Sequence, residues 1–197
     1  MLSIKKAIKK LLNSSTGFYD VFFRAITKDE SKFRKEIIDL AKLKGNEKIL
    51  DVGCGTGTLC LEIAKKHSGK INGIDISPNM IKKARKKAEK IKIKFQIGCG
   101  TELPFKANSY NVVFSTLVTH LMTDGEKDKT IKEIKRVLKK NGRYVSIEWG
   151  NFGYDRKLLK KNGFKIEHEL KKPASIHFRG PTRKFTTVCR IAKKVDS

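Results

Sequence analysis

The sequence predicts an α/β fold: an open, doubly wound parallel sheet with helices on both faces, its last strand antiparallel, behind an N-terminal helical extension. Three observations lead there. From residue 48 onward, short aliphatic runs alternate with Lys-rich runs of helical period, the rhythm of strand–helix–strand units. The last two aliphatic runs are joined by residues 171–184, which have no helical pattern. A parallel return needs a crossover helix, so the final strand should run antiparallel. Ahead of the sheet, residues 1–44 read as helix in two pieces. The 197 residues suffice for one core, organised as a helical cap (1–44) and a single compact α/β domain (45–197).

The elements follow in order. In the cap, residues 2–12 place Ile4, Ala7, Ile8, Leu11 and Leu12 on one side and lysines elsewhere. Residues 29–43 place Phe33, Ile37, Leu40 and Ala41 in phase. Residues 48–52 are an apolar run ending at glycines, hence a buried strand; 59–66 are helical and 71–76 a strand. Ser77 can cap a helix over 78–90, with Pro78 at its first position. A strand at 93–97 is followed by a loop through 109 and a strand at 111–116. Residues 124–139 form an amphipathic helix with Ile131, Ile134, Val137 and Leu138 on one face, stopped at Asn141-Gly142. Then come a strand at 143–148, a helix at 154–161 stopped at Asn162-Gly163, and strands at 165–170 and 185–192.

The net charge of +25 invites an anionic partner. It is spread along the chain: net +6 over 1–44, +10 over 45–150 and +9 over 151–197. Lys outnumbers Arg by 36 to 9, whereas bidentate phosphate recognition favours Arg. Both a Lys-decorated surface of compositional origin and real steering of an anionic partner remain open. Cys54, Cys60, Cys99 and Cys189 form no C-x-x-C pair and no Cys/His cluster of zinc spacing. They read as reduced thiols of a cytoplasmic protein, with no metal expected. The uncharged stretch 110–122 is too short to span a bilayer.

The tetrapeptide Gly-Cys-Gly-Thr occurs twice. The first copy, in "ILDVGCGTGTLCLEIA", follows a strand and opens a helix, the place where an open α/β sheet binds ligands. Glycines at 53, 55 and 57 permit a sharp turn and close approach of a ligand. Their spacing is not G-x-G-x-x-G, and Asp51 adds a negative charge that favours a cationic ligand over a pyrophosphate. Asp75, ending the next strand in "INGIDIS", can accept hydrogen bonds from two ribose hydroxyls.

On "ILDVGCGTG", "GIDISPNMIKKARKKA", "IGCGTELPFKANSYNVVFS" and "EIKRVLKKNGRYV" the sequence resembles the class I S-adenosylmethionine-dependent methyltransferases, in particular the small-molecule group called type 11. The resemblance runs from about residue 33 to 144. It implies a Rossmann-like, seven-stranded sheet whose last strand is antiparallel. It implies S-adenosylmethionine as cofactor, with Asp51, Gly53, Cys54, Gly55 and Gly57 around its methionine part. Asp75 would hold the ribose and Ile76 the adenine. The second tetrapeptide, with Cys99, Gly100 and Thr101, becomes an adenine-side loop of the same site, and Ser115 borders it. The family usually has an acid where this chain has Cys99. A thiol is a poor acceptor, so Glu102 or the Gly100 backbone would have to compensate. His120 matches a position often occupied by His there; Tyr19 and Asp20 match a Tyr-Asp pair in the cap. These three are the candidate catalytic or pocket-wall residues, and packing roles stand beside them.

The acceptor is read as a small molecule or a lipid or quinone-like compound. The Asn/Asp-Pro-Pro-aromatic motif of many amino-group methyltransferases is absent: Ser115, Thr116 and Leu117 stand there. So is the Pro-Cys nucleophile of RNA cytosine-C5 enzymes. The basic amphipathic stretch 2–12 fits peripheral attachment to an anionic membrane, or is simply the solvated face of a packed helix. The alternatives are an RNA or protein methyltransferase, or a non-catalytic RNA-binding module of this fold.

Overall fold

The computed structural model describes residues 30–149, 156–176 and 183–195. The expected helix at 2–12 and the candidates Tyr19 and Asp20 lie outside them. The elements are α1 (Glu30–Leu40), β1 (Ile49–Val52), α2 (Thr58–Ala64), β2 (Ile71–Asp75), α3 (Pro78–Lys87), β3 (Ile93–Ile97), β4 (Tyr110–Thr116), a 3-10 turn (Thr119–Leu121), α4 (Asp124–Val137), β5 (Leu138–Trp149), α5 (Arg156–Lys161), β6 (Phe164–Ile176) and β7 (Arg183–Lys194).

The seven strands form one sheet in the order β3-β2-β1-β4-β5-β7-β6. β1 pairs in parallel with β2 and β4, and β7 runs antiparallel to both β5 and β6, as expected. Strand order reverses between β1 and β4, so a crevice opens there at the carboxyl ends, where such sheets hold ligands. β1 is buried throughout, and its alternating side chains feed two cores. Ile49 packs with Ile37 of α1, Ala41 just after it, Cys60 and Ile63 of α2 and Ile81 of α3. Leu50 and Val52 pack with Ile131, Ile134 and Val137 of α4, and with Leu103 from the loop that follows β3.

That loop replaces the usual crossover helix between β3 and β4, and α4 pins it. The Leu103 amide donates to Glu133 Oε2 at 2.7 Å, and the Arg136 guanidinium donates to the carbonyls of Leu103 and Phe105, each at 2.8 Å. α4 itself opens on a Thr123/Glu126 capping box.

The helix expected over 78–90 ends at Lys87, and two further differences change the architecture. The helix expected over 124–139 ends at Val137. Leu138 turns extended, is fully buried, and pairs with Tyr110, while Lys194 donates to its carbonyl at 2.7 Å. Burying and pairing Leu138 outweighs one more helical turn, so Asn141, at φ 59°, turns the chain within β5 rather than after the helix. The segment 171–184 is not a plain loop. β6 and β7 pair from Phe164↔Lys194 out to Ile176↔Arg183, while β5 pairs with β7 only over Arg143–Trp149, so the hairpin extends beyond the sheet as a two-stranded arm. Pro173 is tolerated because β6 is an edge strand.

Candidate functional site

The carboxyl ends of β1 to β4 meet at the crevice, and β5 borders it. At the end of β1 the amides of Gly53 and Cys54 both donate to the Ile74 carbonyl, at 2.7 and 3.0 Å, which folds the loop onto β2. Gly53, Gly55 and Gly57 have φ of 74°, 53° and 78°, a conformation other residues rarely adopt. Two of them are also closely approached. A Cβ on Gly53 would lie 2.2 Å from the Val118 side chain, and one on Gly57 would lie 2.7 Å from the Phe95 ring. At Gly55 nothing stands within 4 Å, so this is the glycine that faces open space.

Asp75 ends β2. Its Oδ2 accepts the Gly55 amide and its Oδ1 the Ser77 amide, both at 2.9 Å. The carboxylate thus locks the glycine loop to the start of α3, where Ser77 also caps the Met80 amide. Burial raises the Asp75 pKa, and the two amide bonds oppose the shift. Next to it Ile76 is 66% exposed, a bare aliphatic side chain beside a half-buried acid.

Asp51, in β1 two residues before Gly53, is 2% exposed. Its Oδ2 accepts the Cys60 thiol at 3.4 Å; its Oδ1 is buried with no hydrogen-bond partner among the described residues. Burial pushes its pKa up to about 7, the Cys60 bond opposes this, and the Asp75 charge adds to it. The Cys54 thiol, also buried, is driven upward by burial and by both acids, so it stays neutral. An unpaired buried carboxylate is expensive to keep. A cationic group entering beside Gly55 would supply what Oδ1 lacks.

The second tetrapeptide closes the β3 side. The Gly98 amide donates to the Asp75 carbonyl at 3.0 Å, and Glu102 bridges back to Cys99 through its own amide at 3.2 Å. The Cys99 thiol faces the Thr101 hydroxyl at 3.1 Å. Gly100 sits against Val52 and Thr130. At the end of β4, Ser115 is fully buried with its hydroxyl unpartnered among the described residues. His120 lies in the Thr119–Leu121 turn; its side chain is outside the described atoms.

Sequence reasoning missed three contributors. Leu117 takes φ 56°, a conformation that lets Val118 fall over Gly53. Glu148, fully buried near the end of β5, accepts the Thr119 amide at 2.9 Å and so anchors the turn that carries His120. A lone acid in the apolar run "YVSIEW" was a visible signal for Glu148; nothing local marks Leu117 or Val118. Among the described residues no group of three or more His, Cys, Asp or Glu could hold a metal, and no helix is long and apolar enough to cross a membrane.

The family described as "Methyltransferase domain" matches residues 43–176. The demethylmenaquinone methyltransferase of Staphylococcus saprophyticus is 31% identical over 148 residues, covering 73% of this chain and 63% of that protein. A ubiquinone/menaquinone biosynthesis C-methyltransferase of Rickettsia massiliae is 33% identical over 132 residues, covering 61% of this chain and 52% of that protein. The chain therefore spans only about half to two thirds of these relatives' length. Among solved structures, geranyl diphosphate C-methyltransferase from Streptomyces coelicolor, in complex with Mg2+, geranyl diphosphate and S-adenosyl-L-homocysteine, superposes with a TM-score of 0.71 at 14% identity, over 84% of this chain and 79% of that one. The "putative methyltransferase" of Bacillus halodurans gives 0.69 at 18% identity, over 83% and 99%. At these identities the superpositions establish the shared fold.

Proposed function

Because the chain belongs to the methyltransferase-domain family, we propose that it transfers the methyl group of S-adenosylmethionine to an apolar, quinone-like small-molecule acceptor. One observation carries the cofactor reading: Asp51 in β1 holds a buried carboxylate oxygen with no partner among the described residues, and the loop that follows carries Gly55, whose side-chain position is open. The donor set fits the group. Asp51 would receive the ammonium of the methionine part, Asp75 the ribose hydroxyls, and Ile76 the adenine face. Cys99, Gly100 and Thr101 would flank the adenine edge, and Ser115 the crevice floor. Bound there, the cofactor supplies a methyl group already activated on a sulfonium.

The chain's own contribution is to hold, orient and exclude water. Asp75 fixes the glycine loop through Gly55 as well as meeting the ribose, so loop shape and cofactor position are one arrangement. Glu148 fixes the 3-10 turn at the acceptor side. Alignment of this kind can supply about 7–11 kcal/mol of acceleration without a covalent role for any side chain. His120, Tyr19 and Asp20 are proposed for the acceptor side, where a base serves only an acceptor that must lose a proton. The quinone-like acceptor rests on the activities for which the two relatives are named.

Calorimetric titration with S-adenosylmethionine and S-adenosylhomocysteine tests the reading. One site per chain is expected, weakened at least about tenfold by Asp75→Ala, since charge-assisted hydrogen bonds contribute about 1.5–3 kcal/mol. No binding of either compound would overturn it. A labelled-methyl assay on fractionated extract should place the label in the lipid fraction; label in RNA or protein would overturn the acceptor.

A further inference from the structure

The lysines of this chain are not distributed alike over its helices. In α4, four acids and five bases alternate, and three ion pairs form within the helix: Lys127–Asp124 at 2.8 Å, Lys132–Asp128 at 2.7 Å and Arg136–Glu133 at 2.7 Å. From residue 82 to 94, covering most of α3 and the first two residues of β3, eight of thirteen residues are cationic and only Glu89 is acidic. Lys82/Lys86 and Lys83/Lys87 are like-charged pairs four residues apart on α3, an arrangement that weakens a helix. Lys82, Lys83, Lys86, Lys90, Lys92 and Lys94 form no ion pair with any described residue, and all but the half-buried Lys83 are exposed. A lysine-rich composition alone does not explain why one helix is neutralised and the next is not.

The shape of the region narrows the partner. β3 is the edge of the sheet. The α3 lysines line one side of that edge, and Lys94, whose side chain alternates with the inward Phe95, lies on the other. Lys92 and Lys94 serve as guards against strand pairing, but that role does not extend to α3. At the two ends of β3, Ile91 and Ile97 are 42% and 52% exposed. Arg85, the single arginine here, is spent on the Phe95 carbonyl through two N–H groups at 3.1 and 2.8 Å. The region thus offers no free guanidinium for bidentate phosphate contacts and no exposed aromatic on which a base could stack. Unpaired lysines around a sheet edge, flanked by bare isoleucines, match a plane of anionic headgroups over an acyl layer.

We infer that α3 and β3 form a docking surface for an anionic lipid bilayer. It deepens the proposed function, since it rests on a membrane-resident apolar acceptor, but binding can be read without turnover. The full chain is sedimented with vesicles of phosphatidylcholine alone and of phosphatidylcholine with 30% phosphatidylglycerol, a composition of about 7:3 chosen to give a surface potential that attracts basic segments. The protein should pellet with the anionic vesicles only and be released by high salt. Each lysine near such a surface strengthens binding about fivefold, so Lys82→Glu/Lys86→Glu/Lys90→Glu should weaken partition more than about 100-fold. The milder Lys82→Gln/Lys86→Gln/Lys90→Gln should weaken it by about 100-fold. The same charge change at the exposed Lys66, Lys129 and Lys157 should leave a much smaller loss. Unchanged binding in the α3 variants, equal loss in the control, or no preference for anionic vesicles would overturn the surface. Cofactor titration on the same proteins keeps the two readings apart: vesicle binding without cofactor binding sinks the function alone, and cofactor binding without vesicle binding sinks the surface alone.

Discussion

Asp51 is a residue whose cost and use can be separated. Its folded pKa, about 7, lies above the ordinary 3.8. The folded chain therefore holds its proton more tightly than the unfolded chain. That stability is fully present below about pH 4 and is lost as pH rises toward 7, on the order of 3–4 kcal/mol from this group. Asp51→Asn should raise the Tm at pH 8 and leave it nearly unchanged at pH 4, by differential scanning fluorimetry. The same variant should weaken S-adenosylmethionine at least about tenfold, because the ammonium loses its charged partner. A lower Tm at pH 8 would show that Asp51 is compensated by something outside the described residues. Both acids of the site could be read in the sequence because each is a charge at the end of an apolar run. What could not be read is how they are shared. Asp75 spends two oxygens on Gly55 and Ser77, and Val118 comes from 65 residues away to sit on Gly53. Cys99 was legible as a departure from the usual acid, and the structure turns its thiol to Thr101 while Glu102 ties back through its backbone.

Among the elements, the loop after β3 shows how a missing crossover helix is replaced. Its carbonyls and amide are bound by Glu133 and Arg136, a pair that also bind each other at 2.7 Å. The Arg136 partnership holds the Glu133 carboxyl below its usual range, so the clamp stays charged through neutral pH. Arg136→Ala should cost about 1–3 kcal/mol, set by the two carbonyls left without donors. It should also loosen Gly98–Phe105 enough to weaken cofactor binding, seen as faster amide hydrogen exchange confined to that loop. Exchange rising equally across β5 would contradict a local clamp. The loop itself was legible as a stretch without period, but its partners on α4 were not, being about thirty residues away. The end of α4 was misplaced for a related reason. Local propensity continues the helix, and only the pairing of Leu138 with Tyr110 stops it.

For the whole molecule, the α/β alternation and the antiparallel last strand followed from the spacing of the aliphatic runs and from one helix-free connection, whereas the strand order, with β7 between β5 and β6, is set by long-range pairing. The hairpin arm did not, because the register of β6 on β7 is a non-local fact that Pro173 and the lysines around it obscure. The +25 charge acts at this scale too. Self-repulsion of a strongly charged fold is relieved by screening. Raising NaCl from low to high concentration should therefore raise the Tm, by about 2–4 °C for each kcal/mol of repulsion removed. A Tm that does not move with salt would mean that bound anions already neutralise the surface.

The place of β7 has a consequence for synthesis. Every strand that carries the crevice, β1 to β5, leaves the ribosome before the hairpin does. β6 emerges next, yet the sheet order gives it no neighbour except β7, which slots between β5 and β6. Chains emerge N-terminus first, at about 5–20 residues per second. Until the last strand is made, the edge of β5 therefore stands open while β6 waits without a sheet, and the interval is a window in which a chaperone or a second nascent chain can bind that edge.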